Sequence, residues 1–80
     1  MTRKQAEAEI YKAFHKFPIA HLEFETTDFG AFYCKATFPT KDYAMAAISM
    51  LPAHWTLGEE VSYEGLNKVN VYLYLDKYIE

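Results

Sequence analysis

Three histidines, one cysteine and eleven Asp and Glu residues are the side chains here that could hold a metal or move protons, and spacing decides whether they do. His15, His21 and His54 fall on three different predicted elements, and no CxxC, HxxxH or HExxH run joins them to each other or to Cys34. No metal site is expected from ligands so dispersed. Cys34 alternates with Phe32, Ala36 and Phe38 on the inward side of a predicted strand, where a thiol behaves as a small buried hydrophobe and lacks a base to activate it. The three glycines form no phosphate-binding loop. Glu23 and Glu25 have the spacing of paired carboxylates, but acid–base chemistry also needs a pocket or a polarised partner. The expectation is a chain that is not an enzyme and takes no cofactor.

What remains is recognition, and its residues depend on the elements that carry them. Thr2 with Gln5 has the pattern of a capping box, and Ala6, Ile10, Ala13, Phe14 and Phe17 recur at helical spacing up to Pro18, which predicts a helix over about residues 3–17. Lys4, Lys12 and His15 form its opposite, mildly basic side. From Ile19 the period becomes two: Ala20, Leu22 and Phe24 point one way and His21, Glu23 and Glu25 the other. Thr27-Asp28-Phe29-Gly30 has turn chemistry, after which Phe32, Cys34, Ala36 and Phe38 alternate with Tyr33, Lys35 and Thr37. These two strands read as a hairpin.

Thr40 reads as an N-cap with Asp42 in the first turn, and Ala44, Ala47, Ile48 and Leu51 then mark a second helix over about 41–51. After a loop holding His54 and Trp55, Leu57, Val61 and Tyr63 alternate with Glu60, Ser62 and Glu64. Glu59 falls on the inward side, a conflict that a β-bulge or a late strand start would resolve. Glu64-Gly65-Leu66-Asn67 reads as a hairpin loop leading into Val69, Val71, Leu73 and Leu75, which alternate with Asn70, Tyr72, Tyr74 and Asp76 in the clearest strand of the chain.

The order αββαββ is that of a circularly permuted ferredoxin-like domain. It predicts an α+β two-layer sandwich spanning residues 1–80, with a four-stranded antiparallel sheet in the order 3-4-2-1 and both helices on one face. The other face would be left bare. It would gather His21, Glu23, Glu25, Tyr33, Lys35, Thr37, Glu60, Ser62, Glu64, Asn70, Tyr72, Tyr74 and Asp76, so that five acids stand against one lysine with phenols among them. Tyrosine and threonine are good strand formers and carboxylates keep a sheet soluble, so a merely solvated face accounts for much of this composition. A binding face accounts for the clustering as well.

Charge narrows the partner. The net charge is −3, and it is uneven: residues 1–18 carry four basic and two acidic side chains, whereas 19–80 carry four basic and nine acidic. Direct nucleic-acid binding is not expected of such a surface, because phosphates require clustered Lys and Arg. A protein partner with a basic surface is. One cysteine, no secretory pattern and no apolar run near the roughly 20 residues of a membrane span predict a cytoplasmic chain, a monomer or a weak homodimer.

Two resemblances sharpen these expectations. Asp28-Phe29-Gly30-Ala31-Phe32-Tyr33-Cys34-Lys35-Ala36-Thr37-Phe38 resembles the RNP1 strand of an RNA-recognition motif, and Val71-Tyr72-Leu73-Tyr74-Leu75 resembles its RNP2 strand, which would imply a single-stranded nucleic-acid-binding module. The basic residue that opens RNP1 is missing. The whole profile, tiny, acidic, rich in tyrosine and without catalytic motifs, is similar to that of phage-encoded anti-CRISPR and related anti-defence inhibitors. That likeness implies stoichiometric occupation of the basic nucleic-acid site of a CRISPR effector complex. Glu23, Glu25, Glu60, Glu64 and Asp76 would stand in for phosphates, Tyr33, Tyr72 and Tyr74 would serve as anchors, and Asp28 would lie nearby. An accessory subunit of some other complex would look the same. Four strands about 4.8 Å apart and roughly 17–20 Å long project only ~350 Å², against about 800 Å² per partner in a standard interface. Loops, an edge strand or a second copy must therefore contribute.

Overall fold

The computed structural model describes residues 1–63, 68–76 and 79, and of 59–63 the backbone. The first helix, α1 (Arg3–Phe14), opens on the expected capping box: the Gln5 amide donates to Thr2 Oγ1 at 3.2 Å, and the Thr2 amide donates to Gln5 Oε1 at 2.9 Å. Ala6, Ile10, Ala13 and Phe14 are its buried stripe. The helix stops three residues short of the periodic signal. Pro18 disfavours helical backbone at the residue before it, so the chain leaves α1 through a tight turn in which the Phe17 amide donates to the Phe14 carbonyl.

Strands β1 (His21–Thr26) and β2 (Phe32–Phe38) pair antiparallel across a turn closed at both ends. The Thr27 amide donates to the Ala31 carbonyl at 2.8 Å, the Ala31 amide returns to Thr27 Oγ1 at 3.1 Å, and Gly30 takes the left-handed backbone that closes the loop, with φ 83°. Helix α2 (Lys41–Ile48) is capped by Thr40, whose hydroxyl accepts from the Tyr43 amide. It too ends early, winding into tight turns in which the amides of Met50 and Leu51 reach back three residues.

Strand β3 (Trp55–Tyr63) begins at Trp55, a residue the periodicity assigns to a loop, and β4 (Lys68–Leu75) comes next. All neighbours are antiparallel and the order is β1-β2-β4-β3, the expected topology with β4 inside the sheet. The predicted loop at 64–67 lies outside the described residues.

Both helices pack on one side of this sheet. Phe14 meets Phe38 edge to face at 5.3 Å, Tyr11 meets Phe24 at 5.6 Å, and Phe32 lies between Phe24 and Trp55. Ala44 and Ala47 bring α2 into the same core, whose fully buried members include Ile10, Phe14, Phe32, Cys34, Phe38, Val71 and Leu73. Burying one such side chain contributes about 1.5–3 kcal/mol, which in a domain of this size makes each a large fraction of the net stability. Cys34 is sealed in this layer, and burial pushes its thiol up to about 12.

Two polar links run between distant parts of the chain. Glu9 Oε1 on α1 accepts from His54 Nε2 at 2.6 Å and from Trp55 Nε1 at 3.2 Å, which fixes the loop after α2 to the first helix. Thr37 and Asn70, expected on the bare face, are each only 7% exposed, and the Thr37 hydroxyl donates to Asn70 Oδ1 at 2.5 Å. This pair therefore does not meet solvent as the alternation suggested, although His21 in the same row does. Among the described residues no helix is long and apolar enough to cross a membrane.

Candidate interaction face of the sheet

Opposite residues of antiparallel strands share a face, so the register sorts the uncovered side into rows. One row reads Glu25, Tyr33, Tyr74, Thr56 from edge to edge; the next reads Glu23, Lys35, Tyr72, Glu59. A third contains His21, Thr37 and Asn70. The first two rows form the candidate site.

Its centre is aromatic. Tyr33 lies 5.4 Å from Tyr74 and 6.5 Å from Tyr72 between ring centroids, both at a tilt, so the three phenols make one contiguous patch over the two inner strands. Lys35 places Nζ 5.8 Å from the Tyr72 centroid, where the ring face attracts the ammonium. This cation stands within the patch while the carboxylates stand around it.

On β1, His21 donates from Nε2 to Glu23 Oε1 at 2.6 Å. That hydrogen bond, with the histidine's charge and more weakly that of Lys35, holds the Glu23 carboxyl below its ordinary value although the residue is exposed. Glu25 is exposed opposite Tyr33. Asp76, just past β4, is exposed and accepts from the Thr56 hydroxyl at 2.6 Å, while its amide donates to the His54 carbonyl. The border is therefore acidic on the β1 side and at the end of β4.

Position 58 gives Tyr74 its place. The β3–β4 register shifts between Leu57, opposite Leu73, and Glu59, opposite Tyr72, which is the bulge the Glu59 conflict called for. A Cβ on Gly58 would overlap the Tyr74 ring, so only glycine lets that ring lie across the strand.

The bulge also corrects the phase of the strand beyond it. Glu60 and Ser62 were expected among the residues of the bare face, yet they stand opposite Val71 and Val69, and it is Glu59 that stands opposite Tyr72. Glu64 lies outside the described residues. Of the other predicted residues, Glu23, Glu25, Tyr33, Tyr72 and Tyr74 come together in the two rows, Asp76 borders them, and Asp28 sits apart, exposed in the β1–β2 turn.

Reasoning from the sequence missed Gly58 and Thr56. A glycine inside an alternating strand is the signal for the first; the second had none. Among the described residues no cluster of three His, Cys, Asp or Glu side chains is arranged to hold a metal ion. Cys34 is buried in the layer on the other side of the sheet and contributes nothing to this face. Its exposed phenols and carboxylates can support contact with another surface. No family model, curated protein or solved structure matches the chain.

Proposed function

We propose that this chain is a non-enzymatic binding protein whose open sheet face docks on a basic protein surface. The observation that carries the reading is the contiguous Tyr33–Tyr72–Tyr74 patch bordered by Glu23, Glu25 and Asp76. Phenols provide rigid apolar contact at small entropic cost, and the acids steer a cationic partner and fix its register. In a bacterial cytoplasm, the target class that fits is the nucleic-acid groove of a CRISPR effector complex, occupied by carboxylates in place of phosphates, as in the anti-CRISPR inhibitors that the chain resembles in profile.

The test is capture and competition. Immobilised chain should retain a nucleic-acid-binding complex from host lysate and release it at high salt, and adding the chain to that purified complex should displace its DNA. The double variant Glu23→Lys/Glu25→Lys should lose both effects with an unchanged melting temperature. Retention undiminished by charge reversal would remove this face from the interaction.

One observation favours a second reading, single-stranded nucleic-acid binding. Tyr33 and Tyr72 stand on adjacent inner strands with Lys35 beside them, the arrangement on which bases stack in RNA-recognition folds. A low-salt gel shift decides: no retention of single-stranded RNA is expected, and tight retention would overturn the inhibitor reading.

A further inference from the structure

Away from the sheet face, the described surface carries two apolar features that match each other. The first is Phe29, 92% exposed at the tip of the β1–β2 turn. The hydrogen bonds that close this turn at Thr27, together with Gly30, fix the backbone that carries the ring, and Asp28 precedes it. A turn closed in this way has little backbone entropy left to lose when its tip is buried.

The second is a groove of about 260 Å³ between α1 and the segment after α2, lined by Glu9, Lys12, Ala13, Met50 and Pro52. Met50 is 65% exposed along it. An apolar cavity of about 150 Å³ suffices for a benzene molecule, so this groove has room for a phenyl side chain and part of the backbone beside it. Its charges are unequal in availability. Glu9 Oε1 is already engaged by His54 and Trp55, whereas the Lys12 side chain is exposed at the groove.

We propose that copies of this chain associate head to tail, with Phe29 of one copy seated in the groove of the next and Asp28 facing Lys12. One exposed phenylalanine is ordinary by itself; one carried on a closed turn with an acid beside it, and a groove of its size with a lysine beside it, are complementary in size and charge. The turn joins edge strand β1, while the groove is tied through Glu9 and Trp55 to β3, the opposite edge. Donor and acceptor are thus different surfaces, one by each edge strand of the sheet, so a single ring-in-groove contact is heterologous and leaves each copy with one free end. Neither surface includes Tyr33, Tyr72 or Tyr74, so the association stands independently of the function proposed for the sheet face. The contact is small, which places its affinity in the weak class.

Sedimentation velocity of the full chain over a concentration series tests this. The expected result is a weight-average mass that rises steadily past a dimer. Phe29→Ser and Met50→Glu change exposed positions, and each should weaken association about tenfold or more with the circular dichroism spectrum unchanged. Asp28→Lys should weaken it, and Asp28→Lys with Lys12→Asp should restore it. Mixing Phe29→Ser with Met50→Glu leaves one intact ring and one intact groove, and should give a 1:1 heterodimer that grows no further. A wild-type chain monomeric throughout, association that stops at a symmetric dimer, or association undiminished in Phe29→Ser would each overturn the proposal.

Discussion

At the residue scale, two positions govern how the candidate face is presented. Gly58 leaves the space that the Tyr74 ring occupies. In Gly58→Ala the partly exposed ring can rotate away, so the stability cost should stay near about 1 kcal/mol, the low end for overpacking. The loss of the Tyr33–Tyr74 contact should be the larger effect, seen as vanished cross-ring NOEs and weakened partner binding. Glu23 is the second position. Its carboxyl is held low by His21, so in a carbon-detected NMR titration it should ionise below the ordinary 4.5, and His21→Ala should return it towards that value. Linkage gives the sign: a carboxyl depressed in the folded state favours folding above its unfolded pKa, and this contribution disappears as pH falls below 4.5 through the folded value. Since the group is exposed to solvent, the titration curve is the place to read the effect.

At the scale of elements, what could be read in advance was whatever depends on near neighbours in the chain. Ala6, Ile10, Ala13 and Phe14 announce a helix face, Thr2 and Gln5 its cap, and the alternation from Val69 to Leu75 announces a strand inside the sheet. The face with Tyr33, Tyr72 and Tyr74 came from those periods alone. The features that escaped depend on partners far along the chain. Trp55 looked like loop because its burial comes from Phe32 and from Glu9, 46 positions away. Thr37 looked solvated because the partner that satisfies its buried hydroxyl, Asn70, stands 33 positions away. The phase of β3 was misread beyond Gly58 because a bulge inverts the alternation that period-two reasoning extends. The Glu9 link makes its own prediction. Glu9→Ala leaves the His54 and Trp55 donors without their acceptor in a half-buried site, at a cost of about 1–3 kcal/mol. A drop in melting temperature with a red shift of Trp55 fluorescence is expected, and Thr2→Ala, which removes only a cap, should cost about 1 kcal/mol without that shift.

At the scale of the whole molecule, two short helices and one sheet layer share a single small core, so the protein has little stability to spare. Leu73→Ala, which removes a fully buried side chain from an inner strand, should cost about 2–5 kcal/mol and leave a population of unfolded chains detectable by urea titration at room temperature. Sealed thiols count such openings. Cys34 has no route to solvent in the closed fold and keeps its proton there, so an alkylating reagent can modify it only during the moments when the layer around it comes apart. The chain thus carries one built-in clock for its own opening. Any ligand that binds only the closed form slows that clock by the factor 1 + [L]/Kd. An unlabelled, unmutated protein can therefore report the affinity of its partner through the rate at which a single sulfur reacts.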